Sequence, residues 1–221
     1  MKYKIAEKFL SINGEGCSSG YLSTFIRFAG CNLSCVYCDT KWANENECQY
    51  VLMSSDEILN YIKSNYVKNV TLTGGEPLVQ NNIKSLLIFL SKEASLKIEI
   101  ETNGSVDISP YLNIGDNISF TLDYKLRSSC MEEKMYLQNF NKLRSNDCVK
   151  FVIGSYEDLE RAKYIIDNYD LVKKCSVHFS PVYEKYNMIN IIDFIKTNKM
   201  THVKFQPQIH KIIWGANCKG V

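Results

Sequence analysis

Short runs rich in β-branched and aromatic residues alternate with amphipathic runs along most of this chain. No other feature limits its fold as much. Residues 23–30 (STFIRFAG), 69–77 (NVTLTGGEP), 96–104 (LKIEIETNG), 117–125 (NISFTLDYK), 148–155 (CVKFVIGS), 175–182 (CSVHFSPV) and 201–208 (THVKFQPQ) read as strands. Residues 54–64, 81–94, 156–169 and 185–198 read as helices. The first of these opens on Ser54 as a cap, carries Glu57 early, and sets Ile58, Tyr61 and Ile62 on one face. Such alternation predicts an α/β fold with a mostly parallel sheet, curled or open, and sites at the carboxyl ends of its strands. The connection 104–116 has no room for a full helix, which excludes a complete eight-unit barrel and reduces the number of helices.

The chain has 221 residues, of which 45% are hydrophobic, enough for a sizeable core in one domain spanning 1–221. A net charge of +2 gives no support for nucleic-acid binding. No apolar run approaches the roughly 20 residues of a membrane helix. The N-terminal MKYKIAEKFL lacks the apolar core of a signal peptide, so a cytoplasmic location is expected. In that compartment nine cysteines, an odd number, do not form a disulfide framework. Six of them, Cys17, Cys48, Cys130, Cys148, Cys175 and Cys218, are scattered and read as small buried or incidental thiols.

The other three, Cys31, Cys35 and Cys38, form a C-x3-C-x2-C cluster directly after the strand 23–30. Structural zinc wants four ligands, commonly as two close pairs, and nothing repeats this spacing downstream. Cys48 lies ten residues on in a polar loop, and a zinc-stabilised binding module stays open on these grounds alone. A four-iron cubane normally takes four cysteines; with three, one iron is left for a small-molecule ligand. Thr40 taken alone is a hydroxyl capping the turn after Asp39, Arg27 an ion-pair member on a strand, and His210 a structural histidine.

With the GGEP at 74–77, whose glycines permit close backbone approach, the cysteine spacing resembles the radical S-adenosylmethionine (SAM) superfamily. That resemblance implies a partial (β/α) barrel of radical SAM type and a [4Fe-4S] cluster on Cys31, Cys35 and Cys38. It also implies SAM bound at the open iron and cleaved reductively to a 5′-deoxyadenosyl radical. An electron donor of the flavodoxin or ferredoxin type would act as partner.

Four further segments narrow the resemblance to the 7-carboxy-7-deazaguanine synthase family. FLSINGEG (9–16), FIRFAGCNLSCVYCDT (25–40), TGGEPL with ETNG (101–104), and QIHKIIWG (208–215) are similar to its motifs. Asn13, Tyr37, Arg127, Cys130 and Ala216 stand where the family usually has Gln, Trp, Pro, Gly and Pro. The resemblance assigns Thr40 to Mg²⁺, a hard cation that takes oxygen ligands. It assigns Gly75, Asp123, Tyr124, Lys125 and the segment Ser180, Pro181, Val182, Tyr183 to SAM. Ile12, Asn13 and Gly14 would contact a pterin largely through backbone, Arg27 would pair with its carboxylate, and Thr73, Glu101 and His210 would bond the heterocycle.

The implied reaction converts 6-carboxy-5,6,7,8-tetrahydropterin to 7-carboxy-7-deazaguanine with loss of ammonia, on the route to queuosine and other deazapurines used in tRNA modification. A hydrogen atom leaves C6 of the pterin and later returns, so SAM is regenerated. The family is homodimeric, and the aromatic-rich C-terminal segment suits such an interface. A radical SAM activase that places a glycyl radical on a partner enzyme shares the triplet and GGEP, but not SINGEG, Arg27 or the terminal HKIIW.

Overall fold

The computed structural model describes residues 1–45, 47–216 and 218–221. Among them are nine strands: β1 (Lys2–Ile12), β2 (Leu22–Phe28), β3 (Val51–Ser54), β4 (Asn69–Gly74), β5 (Lys97–Thr102), β6 (Ile118–Tyr124), β7 (Cys148–Ile153), β8 (Ser176–Pro181) and β9 (Val203–Phe205). The α-helices are α1 (Lys41–Asn44), α2 (Ser55–Ser64), α3 (Ile83–Ser91), α4 (Tyr156–Asn168), α5 (Leu171–Lys174), α6 (Met188–Thr197) and α7 (Ile209–Trp214). One sheet takes the order β3-β1-β2-β4-β5-β6-β7-β8-β9. From β2 through β4 to β9 every neighbouring pair is parallel, and β1 runs antiparallel to both β2 and β3.

Successive side chains of a strand point to opposite faces, and here the two faces differ in chemistry. Ile26 and Phe28, Val70 and Leu72, Ile98 and Ile100, Phe120 and Leu122, Val149 and Phe151, and Val177 and Phe179 are all buried in one core cluster. Ile58 and Ile62 of α2, Leu86 and Leu90 of α3, and Leu159, Ile165 and Ile166 of α4 belong to the same cluster. Each fully buried Leu, Ile or Phe contributes about 1.5–3 kcal/mol, so this layer between sheet and helices holds the fold together.

The alternate positions are mostly polar, with Phe25 and Val152 as apolar exceptions. A lower row satisfies itself: Ser23 and Thr71 share a 2.8 Å hydroxyl contact, and Asn13 Nδ2 donates to Thr71 at 3.1 Å and to Glu99 Oε2 at 3.0 Å. Thr121 donates to the other Glu99 oxygen. Such closed networks remove the penalty of burying polar groups and fix one arrangement. Above them Arg27, Thr73, Glu101, Asp123 and Lys150 open into a cavity.

α2 starts as the sequence predicts, with a capping box in which Ser54 accepts from Glu57 N–H at 3.2 Å and Glu57 accepts from Ser54 N–H at 2.7 Å. The connection 104–116 carries only a 3-10 turn at Ser109–Tyr111, as its length requires. Two strands were not expected: β1, which precedes and pairs with what the sequence presents as the first strand, and β3, which follows that strand in the chain and pairs with β1 at the sheet edge. The strand expected at 201–208 shortens to Val203–Phe205, and α7 follows it. No described helix is long and apolar enough to cross a membrane.

Candidate active site

The loop between β2 and α1 carries the three clustered cysteines to one wall of a cavity of about 500 Å³ at the carboxyl ends of the strands. Cys38 N–H donates to Cys35 C=O at 3.2 Å, so the C-x2-C segment is a tight turn. Donors surround the sulfurs: Leu33 N–H reaches Cys31 Sγ at 3.4 Å, Asn103 Nδ2 reaches the same sulfur at 3.6 Å, and Asn44 Nδ2 reaches Cys38 Sγ at 3.7 Å. These contacts suit thiolates. Burial acts the other way, raising the Cys31 thiol and pushing Cys35 up to about 11, so a bound metal would stabilise the thiolates here. Among the described residues no three His, Cys, Asp or Glu side chains converge on a single ion. Three cysteine thiols on one cavity wall, with N–H donors aimed at two of the sulfurs, are the donor chemistry an iron–sulfur cluster takes. Asn44 Oδ1 and Tyr37 OH are buried at this wall without partners.

The end of β4 lies against the cysteine loop. Gly75 N–H donates to Phe28 C=O at 3.0 Å and Glu76 N–H to Gly30 C=O at 2.9 Å. A Cβ on Gly75 would stand 1.9 Å from the Gly30 carbonyl oxygen, so only glycine fits. Glu76 is fully buried and accepts from Leu78 N–H, Thr102 hydroxyl and Asn103 N–H at 3.0, 2.8 and 2.6 Å. Desolvation raises its carboxyl to about 7 against those three donors.

The cavity also has a charged wall. Lys150 Nζ lies 3.0 Å from Glu15 Oε2 and 3.0 Å from Asp123 Oδ2, and Lys125 Nζ lies 2.9 Å from that same Asp123 oxygen. The lysines hold Glu15 and Asp123 below their ordinary range although burial opposes it. Glu101 is different. Burial pushes it to about 7, and the Lys150 charge only partly offsets this. Asp39, paired with Lys211 at 2.7 Å, is held strongly ionised.

Of the residues singled out in the sequence, Cys31, Cys35, Cys38, Thr40, Thr73 and Gly75 share this cavity. So do Ile12, Asn13, Gly14, Arg27, Glu101 and His210, and likewise Asp123, Lys125, Val182 and Tyr183. Tyr124, Ser180 and Pro181 do not line it. Tyr124 packs in the core and donates its hydroxyl to Glu132 at 3.1 Å, Ser180 donates to Gln206 C=O at 2.6 Å, and Pro181 is buried. Strand alternation turns Tyr124 to the helix side, whereas the Ser180 hydroxyl is taken up by Gln206. The Asn13 side chain belongs to the floor network, and its backbone N–H and C=O are paired with Tyr21 C=O and Gly20 N–H, each at 2.8 Å.

Thr40 sits at the start of α1 but makes no capping bond; its hydroxyl has only long contacts, 3.4 Å to Gly74 C=O and 3.6 Å to Cys38 Sγ. Arg27 does pair within the chain, Nε to Glu7 Oε2 at 3.0 Å, its ladder partner on β1. His210 packs on Gly14, where a Cβ would meet its Nδ1 at 2.1 Å, and burial lowers its pKa so that the ring stays neutral. Cys130, where the family has Gly, takes a left-handed conformation at φ 61°. Ala216 lines the cavity. Glu15, Asp39 and Lys211 lie within FLSINGEG, FIRFAGCNLSCVYCDT and QIHKIIWG without being singled out there, and Asn103 was signalled by ETNG at a strand end; Lys150 and Asn44 carry no recognisable spacing.

Comparison with known proteins agrees with this geometry. Residues 25–124 match the Radical SAM superfamily. The chain is 55% identical to the 7-carboxy-7-deazaguanine synthase of Clostridium acetobutylicum over the full length of both. It is 36% identical to that of Methanospirillum hungatei, covering 95% of this chain and 85% of the relative. The crystal structure of QueE from Escherichia coli shares the fold, with a TM-score of 0.74 over 94% of each chain at 22% identity. With its three cysteines, glycine-lined strand end and charged wall around one cavity, the chain belongs to the 7-carboxy-7-deazaguanine synthase family of radical SAM enzymes.

Proposed function

We propose that this chain, acting as one domain, rearranges 6-carboxy-5,6,7,8-tetrahydropterin to 7-carboxy-7-deazaguanine and ammonia. The observation that carries the reading is the meeting of Cys31, Cys35, Cys38 and Gly75 with Arg27, Glu101 and His210 in one cavity. Superfamily membership implies a [4Fe-4S] cluster and SAM, which when bound supply reductive generation of a hydrogen-atom abstractor. Cys31, Cys35 and Cys38 hold the cluster, and Gly75, Asp123 and Lys125 with Val182 and Tyr183 hold SAM; Tyr124, Ser180 and Pro181 can contribute only backbone.

Arg27 spends its Nε on Glu7 and offers its remaining guanidinium N–H groups to the pterin carboxylate. Ile12 and Gly14 meet the ring through backbone beside Asn13, whose own backbone is paired within the chain, while Thr73, Glu101 and His210 bond its edge. The loosely held Thr40 hydroxyl supplies an oxygen ligand to Mg²⁺, which orients the substrate carboxylate. A second copy of the chain covers α7, where Ile212, Ile213 and Trp214 are exposed. A flavodoxin- or ferredoxin-type protein supplies electrons. The glycyl-radical activase and the zinc module give way to this reading because a full-length relative at 55% identity is a synthase.

The test is anaerobic incubation of the reconstituted protein with SAM, reductant, Mg²⁺ and the carboxylated pterin. The expected result is one ammonia released per pterin and a product with the mass of 7-carboxy-7-deazaguanine. Reductive SAM cleavage with the pterin untouched overturns the reading.

A further inference from the structure

Lys150 has no assigned role, yet it stands at the centre of the charged wall. Its position on β7 makes it the ladder partner of Asp123 on β6, while Glu15 reaches it from the loop after β1. Only 6% of the residue is exposed. Its ammonium touches Glu15 Oε2 and Asp123 Oδ2, each at 3.0 Å, and so binds one oxygen of each carboxylate. The second oxygen of each, Glu15 Oε1 and Asp123 Oδ1, is buried without a hydrogen-bond partner, and both residues line the cavity. A buried carboxylate oxygen left bare costs free energy, and a native site keeps such a group where a ligand donor completes it.

We infer that Lys150 is a positioning residue that holds Glu15 Oε1 and Asp123 Oδ1 as fixed acceptors for N–H and O–H donors of two different ligands. This rests on the proposed division of the cavity, with the Asn13–Gly14 loop on the pterin and Asp123 on SAM. Glu15 Oε1 then takes an N–H of the pterin's amino-pyrimidinone edge, and Asp123 Oδ1 takes a donor of SAM. The ammonium fixes both carboxylates at once, so a single side chain sets the spacing between substrate and cofactor. Lys125, bonded to the same Asp123 oxygen, supports the SAM side only.

Equilibrium binding of 6-carboxypterin (the unreactive oxidised ring) and of SAM, each alone, to the anaerobically reconstituted full chain tests this. Lys150→Met is expected to weaken both ligands by about tenfold or more, Glu15→Gln the pterin only, and Asp123→Asn SAM only. Because Lys150 acts on the pterin through Glu15, Glu15→Gln with Lys150→Met should bind the pterin no worse than the weaker single variant. A general loss of folding would not produce that non-additivity. If Lys150→Met does not fold, the double variant, which removes a buried carboxylate with the cation, is read against Glu15→Gln alone and must lose SAM affinity. Loss of only one ligand, loss of neither, or additive losses for the pterin overturn the inference. Wild-type protein that binds SAM but no pterin instead overturns the proposed substrate.

Discussion

Asn103 donates its backbone N–H to Glu76 Oε2 across 2.6 Å, and its side chain reaches Cys31 Sγ at 3.6 Å. The GGEP turn, the ETNG strand end and the cysteine loop are thereby bonded in series. Glu76→Ala removes the acceptor of three donors, leaving Asn103 N–H and the Thr102 hydroxyl buried and unpaired. The expected cost is on the order of 3 kcal/mol, read by thermal unfolding, with less iron retained per chain after reconstitution. Unchanged stability and iron content would show the series to be incidental.

Glu101 gives a pH dependence with a defined sign. Burial raises its folded-state carboxyl to about 7 from 4.5, so the folded state binds a proton more tightly than the unfolded chain. Its contribution is fully present below about 4.5 and is lost as pH rises through about 7. Above that the folded state carries a desolvated charge, at a cost on the order of 3 kcal/mol. Glu101→Gln, measured without ligands, should therefore unfold at a higher temperature than wild type at pH 8, with the gap closing towards pH 5. A gap that widens on acidification would reverse the assignment.

Thr40→Val keeps the shape of the side chain and loses its oxygen. Because the hydroxyl makes only long contacts, unfolding should shift by less than about 1 kcal/mol. Turnover should fall sharply and added Mg²⁺ should restore little of it, while SAM cleavage without substrate persists. Full turnover with a normal Mg²⁺ response would remove Thr40 from the metal site.

For Arg27 the ladder pairing with Glu7 sets up a three-way comparison. Arg27→Ala should weaken the carboxylated pterin by about 30- to 150-fold and abolish preference over the same pterin without its carboxylate. Arg27→Lys loses the planar fork and should fall between. Glu7→Gln removes the ion pair but keeps the guanidinium, and should cost less than Arg27→Ala. Equal binding of the two pterins by wild type and Arg27→Ala would leave Arg27 as the partner of Glu7 alone.

What the sequence made legible is what local chemistry dictates. The Ser54 cap with Glu57, the alternation of the central strands, the glycine turn after β4 and the cysteine spacing all depend on neighbours in the chain. β1 escaped because a bulge between Ile5 and Glu7 shifts its register. Tyr3 and Ile5 join the core cluster, whereas Phe9 lines the cavity, so a single alternation never runs through it. β3 is four residues long, with Val51 and Leu52 exposed at the sheet edge. Lys150 and Glu15 of the charged wall escaped for another reason. Lys150 sits in an apolar run, and its partner Glu15 lies 135 positions away on the loop after β1, a strand that is not its neighbour in the sheet. Tyr124, Ser180 and Pro181 show the limit of motif matching, since adjacency in a segment says nothing about which side chains face the cavity.

The most direct measurement counts 7-carboxy-7-deazaguanine formed against SAM consumed, anaerobically and with reductant in excess. The account predicts many product molecules for each SAM lost in wild type. It predicts neither product nor deoxyadenosine when Cys31, Cys35 or Cys38 is replaced by Ala, and near-normal yield when Cys48 or Cys218 is replaced. One SAM consumed per turnover, or deoxyadenosine still produced by Cys35→Ala, would contradict it.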